Sequence, residues 1–128
     1  MTTAITQGVK VSVEAFYHPA QSQPTRNIFA FIYEVLIENH SANSIQLLRR
    51  HWYIHDGYLL KKEVEGEGVV GQQPILAPGE IYNYFSSCSL TMETGRMYGN
   101  YLMQRLDNGL QFEVAIPEFQ MIFPPKLN

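Results

Sequence analysis

Only one cysteine, Cys88, occurs in the 128 residues, so no internal disulfide can hold this fold together. A single thiol fits a reducing compartment. Charged residues are scarce at 16%, and the formal net charge is −3. Without a basic excess there is no electrostatic case for nucleic acid as a partner. Long apolar runs are also missing, so no segment is expected to insert into a membrane, and a pump acting in the bilayer is excluded. The opening residues, Met1-Thr2-Thr3-Ala4-Ile5-Thr6-Gln7, lack the basic and apolar regions of a signal peptide. A soluble cytoplasmic protein is therefore expected. Sustained helical periodicity with capping residues is absent as well.

What is present favours strands. Hydrophobic residues make up 45%, with eight tyrosines and seven phenylalanines. Val9, Val11, Val13 and Ala15 alternate with polar residues, which predicts a half-buried strand over Val9–Phe16. Tyr17 to Asn27, with two prolines, reads as a loop. Ile28 to Asn39 reads as a second strand with Phe29, Phe31, Tyr33, Val35 and Ile37 on one face. After a turn cluster, Ile45 to His55 forms the next strand, with Trp52 grouped with Leu48, Arg50 and Ile54. Asp56-Gly57 is a two-residue hairpin signal, and Tyr58 to Glu65 returns. Ile81 to Cys88, Gly95 to Leu106 and Leu110 to Ile116 complete the set, the last ended by Pro117. Seven or so strands separated by turns predict an all-β fold, an antiparallel β-sandwich. One domain of residues 1–128 is expected, with its core at about 9–119.

The run Gly66-Glu67-Gly68-Val69-Val70-Gly71 spells G-x-G-x-x-G. As a dinucleotide fingerprint it needs a strand before it and a helix after it, whose N-terminus holds the pyrophosphate. Pro74 and Pro78-Gly79 leave no room for that helix. Two readings remain. The glycines serve a loop between strands, or the loop's N–H groups form an anion-binding nest. Glu67 opposes an anion by like charge.

Several runs together resemble the ApaG family of small bacterial proteins. They are Arg49-Arg50-His51-Trp52, the glycine run through Gln72-Gln73-Pro74, and Leu76-Ala77-Pro78-Gly79-Glu80. Tyr84, Cys88, Leu90, Gly95, Met97, Gly99, Tyr101, Ile116-Pro117 and Phe119 extend the match. The resemblance implies an immunoglobulin or fibronectin type III-like sandwich. It implies no agreed activity or catalytic residues. The family is named for a gene beside a diadenosine tetraphosphatase, and its members are often labelled cobalt and magnesium efflux proteins. Similar domains in certain eukaryotic F-box proteins and in a polymerase-interacting protein are taken as protein-interaction modules. The turn after His55 is shorter here than in many members.

No catalytic set, cofactor or metal site is expected from the residues. His51 and His55, four apart on a strand, stand about 13 Å apart and cannot share one zinc. Glu63, Glu65 and Glu67 read as a solvated acidic face, and Cys88 as a buried small hydrophobe. Arg49 and Arg50 point to opposite faces of one strand. Arg50 either reaches solvent at the sheet end or binds an anion beside the glycine loop. The candidate anion or phosphate site is thus Gly66, Gly68 and Gly71 with Arg49 and Arg50. Two functions are consistent with these residues and with what the resemblance implies. The first is a non-enzymatic interaction module, with an indirect link to cobalt and magnesium, which binds a protein partner or forms a homodimer through an edge strand. The second is a binder or hydrolase of a phosphate ligand, a nucleotide or dinucleoside polyphosphate, at the glycine loop.

Overall fold

The alternating pattern becomes nine strands in the computed structural model of the chain, which describes residues 1–58 and 60–127. They are β1 (Thr2–Thr6), β2 (Val9–Tyr17), β3 (Phe29–Asn39), β4 (Ile45–Asp56), β5 (Leu60–Glu67), β6 (Ile75–Leu76), β7 (Ile81–Leu90), β8 (Thr94–Arg105) and β9 (Gln111–Ile122). Short 3-10 turns at Pro19–Gln21, Pro24–Arg26 and Pro124–Leu127 are the helical structure among the described residues. No helix there is long and apolar enough to cross a membrane.

Every pairing is antiparallel. One sheet runs β1-β2-β3-β7 and the other β5-β4-β8-β9, with β6 beside β4. The inner faces interdigitate as a sandwich core. Phe31, Tyr33, Val35 and Ile37 of β3 face Trp52 of β4, Met97 and Tyr101 of β8, and Val114, Ile116 and Phe119 of β9. Trp52 is core, as its sequence position predicts, and meets Tyr33 and Phe119 edge-on. The fold is the predicted all-β sandwich, with two strands more than the seven expected. One is β1, where threonines on an exposed edge give no burial alternation. The other is the two-residue β6.

Three features differ from the pattern for identifiable reasons. Pro117 does not end the last strand. A register shift between Met97 and Gly99 opposes an extra residue on β9, and the strand continues through Phe119 and Met121. Proline is tolerated at such a bulge because no ladder donor is needed there. A second shift, between Leu47 and Arg49, inverts the parity of β4. Leu47 is therefore fully buried in place of Leu48, while Arg50, Trp52 and Ile54 keep the inner face. Asp56 pairs with Leu60, so the link there is longer than a two-residue hairpin. Leu59 of the expected Tyr58–Glu65 strand, and Asn128, lie outside the described residues.

The two long edges of the sandwich are unlike. On one, β1 and β2 lie against β9, and the Ala115 amide donates to Thr6 Oγ1 at 3.1 Å. On the other, β7 and β5 end their sheets and the space between them is open.

Asn39, fully buried at the end of β3, ties three turns together. Its Nδ2 donates to the Asn43 and Leu76 carbonyls at 2.8 and 3.0 Å. Its Oδ1 accepts from the Ser41 amide and hydroxyl. Its backbone carbonyl takes the Gly79 amide. The Leu-Ala-Pro-Gly-Glu run is thereby a docked turn, closed by the Ala77 amide on Glu80 Oε1 at 2.6 Å. Replacing Asn39 by alanine strands the buried Leu76 carbonyl and is expected to cost about 2–4 kcal/mol in urea unfolding. Asn39→Asp keeps the acceptor yet should cost at least as much at neutral pH, since it buries a charge against carbonyls. A loss below about 1 kcal/mol for both would contradict this role.

Candidate functional site

The β4 bulge and the glycine run form one structure. β5 leaves β4 at Gly68, and the chain rejoins it at Pro74, just ahead of β6. Across the gap the Leu48 carbonyl accepts both the Gly68 amide at 2.9 Å and the Gln73 side-chain amide at 3.0 Å. Between them Val69 and Gln72 exchange reciprocal backbone hydrogen bonds at 2.8 and 2.9 Å. Val70 and Gly71, at the turn, have φ of +48° and +75°. Positive φ at both central residues is a type I′ turn. A β-branched residue is strained in that region. Val70 is also 62% exposed, while Val69 beside it is plugged into the core.

The run therefore carries no dinucleotide turn; the next element is the strand β6 and not a helix, as the prolines predict. Gly68 is required by packing, because a Cβ there would lie 2.1 Å from the Gln72 carbonyl oxygen. Gly66 leaves room for an arginine. A Cβ at Gly66 would sit 2.8 Å from both terminal nitrogens of Arg50.

Arg50 is on the inner face, opposite Gly66 in register and away from any sheet end. Its Nη1 donates to the Glu67 carbonyl at 2.9 Å and the Gly68 carbonyl at 3.0 Å. A guanidinium has five N–H donors in a fixed plane. Both on Nη1 are spent on the loop, and no protein acceptor meets Nε or Nη2 among the described residues. The glycine loop thus turns carbonyls, not amides, toward Arg50. Arg49 lies on the outer face, exposed and opposite Glu67. Of the expected constellation the fold brings together Arg50, Gly66 and Gly68. Gly71 sits at the loop tip with open space around it.

Arg50 stands in a hollow of about 850 Å³ that wraps the free edge of β7. On the inner side are Tyr33, Trp52, Tyr84, Ser86 and Cys88, with Val69 and Val70 above them. The Tyr84 and Tyr101 hydroxyls share a short hydrogen bond, and Tyr33 stands opposite Ser86 in register. Burial raises the Tyr33, Tyr84 and Tyr101 phenols above their ordinary range, with the charge of Arg50 pulling weakly the other way. Burial likewise pushes the Cys88 thiol up to about 11, so it is protonated at neutral pH and a poor nucleophile. The site offers hydrogen-bond donors, one cation and aromatic surface.

Further along the same edge a smaller hollow of about 410 Å³ lies between Ser87–Leu90 and the inner residues Ile54, Lys62 and Val64. Asp56 borders it, but its carboxylate is held by the Thr91 and Met92 amides and the Thr91 hydroxyl. That anchor is not legible in the sequence, because Thr91 is thirty-five residues away.

The outer face of β4 carries a different arrangement. His51 stacks on Tyr53 at 4.4 Å, Tyr53 on Tyr98 at 5.2 Å, and Tyr98 on His55 at 5.6 Å. His51 Nδ1 lies 2.9 Å from Glu65, and its Nε2 lies 3.5 Å from Glu63 without a hydrogen-bond partner. The glutamates are exposed, as the alternation predicts, but His51 is pinned between two of them. Among the described residues no group of three or more histidine, cysteine or acidic side chains is placed to hold a metal ion.

Comparison with known proteins places this geometry in a family. The family model described as the ApaG domain matches residues 19–105. Protein ApaG of Brucella canis is 45% identical over 124 residues, covering 97% of this chain and 95% of the relative. The crystal structure of a putative ApaA protein from Bordetella pertussis superposes with a TM-score of 0.87 at 45% identity, over 91% of this chain and 94% of the other. A second X-ray structure, of a structural-genomics target, superposes at 0.88 with 32% identity, over 98% and 94%.

The buried phenols set an alkaline limit on the fold. A phenol in the unfolded chain ionises near pH 10, whereas Tyr33, Tyr84 and Tyr101 stay neutral above that when folded. Raised folded values give stability that is complete below about pH 10 and lost as pH rises beyond it. Urea midpoints are expected to be level up to about pH 9.5 and to fall steeply above about pH 10. Absorbance at 295 nm should show three of the eight tyrosines ionising only on unfolding. Eight phenols titrating together before unfolding would contradict the buried cluster.

Proposed function

The chain belongs to the ApaG domain family, and from that premise we propose that it is a non-enzymatic interaction module whose partner site is the hollow around the edge of β7. One observation carries the reading. Arg50 is fixed by the loop through one nitrogen and keeps its remaining donors toward a cleft floored by Trp52, Tyr33 and Ser86. A rigid arginine beside aromatic residues is the composition of an interaction hot spot, because little side-chain freedom is left to lose on binding. Exposed Phe85 and Val70 add apolar surface at the mouth. The neutral thiol of Cys88 suits a binding site better than a nucleophilic one. In this reading any link to cobalt or magnesium runs through the partner and not through a metal held by the chain.

The phosphate-ligand reading keeps one observation in its favour. The Val70 and Gly71 amides find no acceptor among the described residues, whereas that of Gly68 is spent on the Leu48 carbonyl of β4 and that of Val69 on Gln72. A nucleotide or dinucleoside polyphosphate at millimolar concentration, with and without Mg²⁺, would shift those two amides in an NMR titration if this reading were the better one.

A photo-reactive residue tests the partner site in living cells. Placed at Ser89, beside the hollow, it is expected to give discrete protein adducts that disappear with Arg50→Met. Placed at Thr3 on β1, it should give none of them. The melting temperature of each variant, recorded alongside, shows that adducts are not lost through unfolding. No adduct at Ser89, or one pattern at both positions, would overturn the proposal.

A further inference from the structure

The free edge of β7 is undefended, and that is unusual for a strand of its length. Natural sheets blunt exposed edges with charge, proline, bulges or short strands, because unpaired N–H and C=O groups recruit other chains. The other three edges show such devices. β1 is only five residues long, β5 carries Lys61, Lys62, Glu63, Glu65 and Glu67, and β9 holds the Pro117 bulge. β7 has ten residues with no charge and no proline, and its register with β3 is unbroken from Leu90 to Ile81. Its neighbour position in the sheet is open over the inner face of β5.

That inner face is basic. In register with β4, Lys62, Val64 and Gly66 point inward and the glutamates of β5 outward. Arg50 lies over Gly66, and Lys62 lies opposite Ile54. From Arg50 to Ile54 is four residues of strand, about 13 Å at roughly 3.3 Å per residue. On β7, Tyr84 lines the hollow with Arg50, and Cys88, four residues on, lines the smaller hollow with Lys62. The one carboxylate bordering this part of the groove, Asp56, is committed to Thr91 and Met92.

We propose that an extended acidic peptide segment of a partner adds as a strand to the free edge of β7, with carboxylates at i and i+4 reaching Arg50 and Lys62. This rests on reading the hollow as a partner site. Backbone pairing with β7 supplies affinity, and the alternating inward side chains supply specificity. An i, i+4 pair lies on one face of a strand, so both carboxylates turn inward together. A second copy of this chain is a poorer occupant, since β7 contains no acidic residue to offer either cation.

Three acetylated, amidated nine-residue peptides on a threonine-valine background test this with the full chain. One carries glutamate at its third and seventh positions, the second at its third and sixth, and the third carries glutamine at its third and seventh. Fluorescence of Trp52, the single tryptophan, reads binding. The first peptide is expected to bind at least tenfold more tightly than the other two and to slow amide exchange along β7. Lys62→Gln, an exposed substitution that leaves the fold intact, should remove most of that preference, and Arg50→Gln the rest. Equal binding of all three peptides, or protection elsewhere than β7, would overturn the inference. So would a concentration-dependent dimer that protects β7. If Ser89 still captures a partner in cells while no peptide binds, the partner site stands and the acidic-strand reading falls.

Discussion

The hydrogen bonds from Arg50 to the Glu67 and Gly68 carbonyls are the constraint around which the open side of this molecule is organised. An inward arginine in a sandwich is costly unless its charge is solvated or paired. Two carbonyls do part of that work, and the cleft mouth does the rest. For the carbonyls to reach it, β5 must leave the ladder there, and the bulge at Leu48 lets β4 accompany it. A Cβ at residue 66 would meet the guanidinium where it now lies. Gly66 and the arginine fit one another, while Gly68 answers to the Gln72 carbonyl.

Much of the core is legible in the residues alone. The alternation of β2 and β3 assigns the inward sets correctly, and Trp52 reads as core. The prolines after Gly71 exclude a nucleotide helix, and the fold bears that out. Other features are hidden for physical reasons. A β-bulge inverts parity without any sequence mark, so the pattern groups Leu48 with Trp52 although Leu47 takes the inner place. Pro117 reads as a terminator because a bulge on β9 is invisible in one strand alone. Asp56 and Asn39 act on groups far along the chain, where local pattern carries no signal.

The expected anion site is half legible for a related reason. Spacing along β4 shows that Arg49 and Arg50 must diverge, and the fold takes Arg50 inward and leaves Arg49 outside. What spacing cannot show is the direction of the loop's peptide groups. Glycine runs are read as nests of N–H donors, yet here the carbonyls face the arginine. The carbonyls of the run seat a cation, while its Val70 and Gly71 amides have no acceptor among the described residues. The chemistry of the open edge then favours carboxylates arriving on an extended chain, because the adjoining strand has unpaired backbone groups and no charge of its own.

Nitrogen-15 NMR of the arginine side chains tests the central claim most directly. In the free protein the Arg50 Nη1 protons are predicted to be resolved and slow to rotate, because two carbonyls hold them. On adding the peptide with glutamates at its third and seventh positions, the Nε and Nη2 protons should move downfield while Nη1 stays in place. An Arg50 guanidinium that rotates freely, or one whose Nη1 protons move and whose Nε and Nη2 protons do not, would contradict the account.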